Sequence, residues 1–232
     1  ELSGVPVLRA EHGFFDRKVY FQIDHKGILH WASWTKNLQL PAPNGSRERF
    51  EKVWPEPIIP IRAKKFGSIL VLGQVGGDTQ MNESEICTPK KLDELVSVQG
   101  INAVFRPHPL DRSEKTRRRF LERSNAKTLK EAVSAARFVI AINSNSCVES
   151  LAWGVPVLCL GPATFAQAGV ALQTSIADFK VNLQKMLDGW CPEQAKVNNY
   201  LYHLASRQYS LDEFRDGEIF NKLFASANVK LA

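Results

Sequence analysis

Between residues 68 and 160 short apolar runs alternate with amphipathic stretches, and this alternation restricts the fold more than any other feature of the chain. The runs at 68–73, 101–106, 137–142 and 155–160 read as strands, and 90–98, 113–123, 129–136 and 146–153 read as helices. Strands separated by helices pair in parallel through right-handed crossovers, which predicts an α/β, Rossmann-type lobe. Thr128 and Glu131 stand at capping-box spacing and mark one helix start. Sheets of this kind bind ligands beyond the carboxyl ends of their strands, so the residues just past each apolar run become the candidates for function.

The flanks read differently. Strands are expected at 5–9, 19–23 and 28–31, the last two joined by a turn at Asp24-His25-Lys26-Gly27. Two proline-rich passages, 41–45 and 54–60, mark a boundary, and from Ile176 onward helices are expected at 178–187, 193–206 and 211–224. The resulting division is a partial N-terminal lobe at 1–60, the main lobe at 61–205 and a C-terminal helix at 206–232 that returns to the first lobe. Because the chain begins at Glu1, directly before a strand, it reads as a portion of a longer protein.

With 44% apolar residues the chain can bury a real core, and 30 Lys and Arg against 24 Asp and Glu leave a net charge of +6. That excess suits a nucleotide, an anionic sugar or an anionic membrane surface and is too small to indicate nucleic acid. Much of it lies in Arg112, Lys115, Arg117, Arg118, Arg119, Arg123 and Lys127. The run reads first as a solvated helix face and second as a contact for anionic lipid or polymer. The four cysteines lack Cys-x-x-Cys spacing and read as reduced cytosolic thiols. No stretch reaches the roughly 18 apolar residues of a membrane span.

Four clusters fall at strand ends or turns. Glu11-His12-Gly13-Phe14 offers a general base, or a turn-capping glutamate. In Gly73-Gln74-Val75-Gly76-Gly77-Asp78 the glycines allow close approach to a ligand and Asp78 stands at the mouth of the sheet; the same residues make an ordinary loop. Arg106 and His108 follow the second strand, and prolines on both sides restrict the histidine. Ser144, Ser146 and Glu149 open the helix after the third strand, where hydroxyls and N–H groups suit a phosphate and Glu149 a ribose; either serine also reads as a plain N-cap. Cys147 near a helix start is a weak nucleophile candidate. No metal-ligand spacing, Walker loop or Gly-x-Ser-x-Gly is present.

Taken in order, the four clusters resemble the motifs of the retaining β-Kdo transferases of bacterial capsule and lipopolysaccharide assembly. Glu11-His-Gly-Phe is similar to that family's Glu-Asp-Gly-Phe, and Gly73-Gln-Val-x-x-Asp78 to its Gly-Gln-Val-x-x-Asp loop. Phe105-Arg-Pro-His-Pro109 and Ser144-x-Ser-x-x-Glu-x-Leu-x-x-Gly154 match two further motifs. The departures are His12 in place of Asp and a degraded segment after Gly161. The resemblance implies a GT-B-like fold with a nucleotide-binding lobe and a reduced first lobe. It implies CMP-Kdo as donor, a glycan or glycolipid as acceptor, no cofactor and no metal. Asp78 would be the nucleophile and Glu11 the base, while Gln74, Arg106, His108, Ser144, Ser146 and Glu149 would hold the donor. A cytoplasmic location follows, with peripheral association at the inner membrane. The alternatives are an inactive CMP-binding lobe of a larger protein and a CMP-sialic acid transferase, which would invert and need no nucleophilic aspartate.

Overall fold

A computed structural model describes residues 7–111, 114–215 and 217–226. Its strands are β1 (Arg9–His12), β2 (Tyr20–Asp24), β3 (Ile69–Leu72), β4 (Ala103–Arg106), β5 (Val139–Ala141), β6 (Val157–Cys159), β7 (Leu172–Gln173) and β8 (Gln208–Ser210). The helices are α1 (Ser46–Val53), α2 (Pro89–Ser97), α3 (Glu114–Arg123), α4 (Leu129–Ala135), α5 (Ser146–Ala152), α6 (Thr164–Gln167), α7 (Phe179–Leu187), α8 (Gln194–Ala205), α9 (Leu211–Arg215) and α10 (Glu218–Ser226). The chain divides into two compact units, one running to Pro57 and resuming at Asn198, the other Ile58–Val197.

The larger unit is built on a five-stranded parallel sheet in the order β4-β3-β5-β6-β7. Its central strands β3, β5 and β6 are buried at every position, which is why their sequences are unbroken apolar runs. Ile69, Val71, Ile140 and Leu158 meet Leu92 and Val96 of α2 and Phe179, Leu183 and Met186 of α7 in one core cluster. Thr88 caps α2 with Pro89 in its first turn, and the Thr128–Glu131 capping box is formed at α4.

The smaller unit carries an antiparallel sheet, β1-β2-β8. Phe14 packs edge-on against Trp34, and Phe15 against Phe50. Gln208, fully buried on β8, accepts the N–H groups of Phe14 (2.8 Å) and Phe15 (2.9 Å) and donates to the Phe15 carbonyl. A Cβ on Gly13 would lie 2.9 Å from that glutamine's Oε1, so glycine is what lets β8 close over the turn.

Several expectations are corrected. The opening strand is Arg9–His12, later than 5–9, part of which lies outside the described residues; Glu11 is therefore within a strand, opposite Gln22, instead of in the turn after it. Residues Leu29–Trp31 form a 3-10 turn and not a strand. The Leu29 N–H goes to the Gln22 side chain (2.9 Å) and the Trp31 N–H to the Ile28 carbonyl (3.0 Å), while Asp24 holds the flanks: its Oδ1 accepts from Lys26 (2.7 Å), Gly27 (3.1 Å) and Ser33 (3.0 Å), and its Oδ2 from the Ser33 hydroxyl (2.6 Å). The C-terminal region is not helical throughout. β7 precedes it, β8 interrupts it, and the expected 211–224 helix is two helices, with Gly217 (φ 77°) at the start of the second.

Burial alone would raise the Asp24 carboxyl, but the Ser33 hydroxyl and the N–H groups of Ser33, Lys26 and Gly27 outweigh it and hold the group below its ordinary 3.8. A value lower in the folded state than in the unfolded one means that stability is present above about pH 4 and is lost as pH falls through the folded value. Asp24→Asn is expected to cost about 1–3 kcal/mol at neutral pH. In urea unfolding the gap from the parent should close as the solution is acidified; a gap independent of pH would refute this account.

Candidate functional site

Three of the four clusters lie at the carboxyl ends of adjacent strands in the larger unit. From β3 the chain passes first to β4 on one side and then to β5 on the other, so the topological switch point falls between β3 and β5. Gln74, buried just past β3, donates its amide to Asn143 Oδ1 (2.9 Å) just past β5. Asn143 in turn donates to the carbonyls of Gln80 (2.6 Å) and Pro162 (3.2 Å), tying together the loops after β3, β5 and β6. This asparagine was not among the sequence candidates. Its signal was present, a polar amide directly after a buried run and before Ser144-x-Ser146.

Asp78 is half-buried on the same loop. Its Oδ1 accepts the Gln80 N–H (3.0 Å) and caps the short Thr79–Met81 turn, while Oδ2 lies 3.4 Å from the Gln74 amide. One oxygen thus fixes the carboxylate, and the other makes the longer contact. Gly76 and Gly77 are exposed, and a Cβ on either would meet nothing within 4 Å, which leaves open space over the loop.

The Arg106–His108 turn abuts the end of β3. Gly73 donates to the Arg106 carbonyl (2.8 Å), and a Cβ on it would lie 3.0 Å from the Phe105 ring and 3.2 Å from the His108 nitrogen. His108 Nδ1 accepts the Leu110 N–H (3.1 Å), so the neutral ring carries its proton on Nε2. Arg106 lies with its guanidinium 5.0 Å from the centre of the Phe120 ring, and burial lowers its pKa against the pull of Glu131. Together with Arg117, Phe120 and Lys127 these two residues line a cavity of about 770 Å³. Gln74, Asp78, Ser144 and Ser146 do not line it.

The expected N-cap is shifted by one residue. Asn145 occupies that position without a capping side-chain bond, and Ser146 is the first helical residue. Ser144, buried, accepts the Ser146 N–H at 3.4 Å. The Ser146 hydroxyl has no hydrogen-bond partner among the described residues, and Glu149, half-buried, stands one turn on. α5 is only seven residues long, so its dipole is small and any hold on an anion rests on individual hydroxyl and N–H groups. Cys147 is fully buried and burial pushes its thiol well up, which removes it as a nucleophile.

Glu11 belongs to the smaller unit. Its Oε1 accepts the His12 N–H (2.8 Å) and lies 3.9 Å from Arg17. Of the basic run, Arg117, Arg118 and Arg119 are exposed and Arg119 pairs with Asp93 (2.5 Å), as a solvated face requires; Arg112 lies outside the described residues. No group of three or more potential metal ligands occurs among the described residues, and no helix is long and apolar enough to cross a membrane.

A family model described as "Capsule polysaccharide biosynthesis protein" matches residues 56–208. Two solved structures from Thermosulfurimonas dismutans are similar over 94% of this chain. KpsC, beta Kdo 2,7 transferase, gives a TM-score of 0.59 at 20% identity with 78% of its own chain covered. KpsC, beta Kdo 2,4 transferase, gives 0.55 at 15% identity with 79% covered. No curated protein matches significantly. At these identities the likeness establishes the fold, an α/β, GT-B-like architecture with a Rossmann-type parallel-sheet lobe.

Proposed function

The chain belongs to the capsule polysaccharide biosynthesis protein family, and on that premise we propose that it is a glycosyltransferase that moves Kdo from CMP-Kdo to a glycan or glycolipid acceptor. Support comes from the family, from the fold shared with two Kdo transferases and from the order of the motifs. The observation that carries the mechanism is the state of Asp78, whose Oδ1 is committed to the Gln80 N–H while Oδ2 makes only a 3.4 Å contact.

In the proposed reaction Oδ2 attacks the anomeric carbon of Kdo, the bond from that carbon to the phosphate oxygen breaks, and CMP leaves with the electron pair. The acceptor hydroxyl then attacks the same carbon, gives its proton to Glu11 and displaces the Asp78 carboxylate. Two inversions yield net retention. Glu11 enters this scheme through the motif resemblance alone. The departing phosphate would be met by His108 Nε2–H, by the Ser146 and Ser144 hydroxyls and by Arg106, with Gln74 and Glu149 completing the donor site. We place the reaction in the cytoplasm, with the exposed arginines of α3 as a peripheral contact for an anionic membrane surface.

Because every phosphate donor in this scheme is a protein group, CMP should bind equally well in chelator and in magnesium. His108→Ala and Arg106→Ala should each weaken it by about 1–3 kcal/mol, the range for a charge-assisted hydrogen bond. Calorimetry decides. Binding that needs magnesium, or a preference for UMP, would sink the donor assignment.

A further inference from the structure

The smaller unit contains a cavity that the proposed reaction leaves unused. It measures about 260 Å³, and its walls include Asn44, Gly45, Ser46, Arg49, Arg207 and Tyr209, with no acidic residue among them. That volume is below the range of a drug-sized ligand and suits one charged group or one sugar ring. The two arginines are not equivalent. Arg49 is neutralised by a two-point contact with Glu213 (2.6 and 3.0 Å) and donates to the Ala205 carbonyl. Arg207 has no acidic partner among the described residues; its guanidinium sits 6.0 Å from the centre of the Trp34 ring, and its Nε is buried without a hydrogen-bond partner.

Two further features point the same way. Ser46 is 3% exposed and its hydroxyl, too, is buried without a partner. A buried donor left unpaired costs on the order of 1–3 kcal/mol, a cost that an acceptor in the cavity, which Ser46 lines, would relieve. Ser46 also begins α1, an eight-residue helix whose N-cap is Gly45 (φ 79°) and which no side chain caps. Burial keeps Tyr209 a donor by pushing its phenol up, against the pull of Arg207 and Arg49. An uncompensated guanidinium, an orphaned hydroxyl and an uncapped helix start therefore line one small cavity.

We propose that this cavity binds an oxyanion, a phosphate monoester or a sugar-acid carboxylate, carried on a larger molecule. The site is independent of the transferase reading, since none of the residues that line it takes part in the proposed reaction.

The test is titration of the whole protein, with and without saturating CMP, by inorganic phosphate, glucuronate and glucose at constant ionic strength. Saturable binding of phosphate, of glucuronate or of both is expected, with none for glucose; which anion binds identifies the group. Arg207→Gln should lower the affinity at least tenfold. Should that variant fail to fold for want of its Trp34 contact, Gly45→Asp serves instead. A Cβ there meets nothing within 4 Å, aspartate tolerates a positive φ, and its carboxylate at the helix start should abolish binding. Phosphate held by the larger unit would be indifferent to both substitutions. The proposal is overturned if neither anion binds saturably, or if binding is unchanged in the folded variant.

Discussion

Asp78→Asn is expected to abolish sugar transfer while leaving CMP affinity within about twofold, because the carboxylate acts on the sugar carbon and contributes little to holding the nucleotide. Asparagine is the informative replacement. It caps a turn about as well as aspartate, so the bond from the Gln80 N–H to Oδ1 survives and only the nucleophile is removed. Alanine would remove the cap as well, at about 1 kcal/mol, and would confuse a structural effect with a chemical one. The loss of transfer should reach at least three orders of magnitude, on the scale found when a nucleophile is deleted. Mass spectrometry of the intact parent mixed with CMP-Kdo should show one added Kdo. The adduct should accumulate when Glu11→Gln slows the second displacement, and peptide mapping should place it on Asp78. An adduct on a different residue, or normal turnover by Asp78→Asn, would rule out double displacement through this aspartate.

The parts of the molecule that were legible in the sequence are those in which local and global signals agree. The strands at β3, β5 and β6 are buried on both faces and so leave unbroken apolar runs, and the Thr128–Glu131 box is a purely local device. The candidate residues after β3, β4 and β5 followed from the rule that ligands gather at carboxyl ends, which needs only the order of elements. What was illegible depends on partners distant in sequence. β8 is three residues long and is a strand because it pairs with β2 and because Gln208 meets the N–H groups of Phe14 and Phe15, nearly the whole chain away. Asp24 likewise gathers four donors that no pattern of hydrophobicity displays. Asn143 was not singled out because its role requires knowing that β5 lies beside β3, with β4 on the far side. The lateral spread of the site was hidden for a related reason: Arg106 turns onto Phe120 of a helix that follows it, and sequence order says nothing of which side a strand-end side chain takes.

Gly154→Ala should produce the largest loss of stability, about 3–5 kcal/mol, although the substitution adds one methyl group. The glycine closes α5 in a Schellman motif: the Val155 N–H reaches the Ser150 carbonyl (2.9 Å) and the Gly154 N–H reaches that of Leu151 (3.1 Å), with Gly154 at φ 73°. An alanine at that φ costs on the order of 1 kcal/mol from its own backbone. The surroundings then add more, because the new Cβ would stand 2.8 Å from the Pro60 carbonyl oxygen and 2.9 Å from both the Ile59 oxygen and its Cγ2. Two of those atoms are backbone, in a segment held by the bond from the Ile59 N–H to the Ala152 carbonyl (2.9 Å), so relief requires that bond to stretch. The same displacement would travel along α5 to Ser146 and Ser144, and CMP affinity should fall with stability. Gly76→Ala is the control: its Cβ meets nothing and its φ is not in the left-handed region, so it should change unfolding by less than about 0.5 kcal/mol. Chemical denaturation of the pair decides the matter. Equal midpoints would show that the closing glycine of the Ser-x-Ser-x-x-Glu-x-Leu-x-x-Gly segment is not held there by packing, and its place in that motif would need a functional explanation instead.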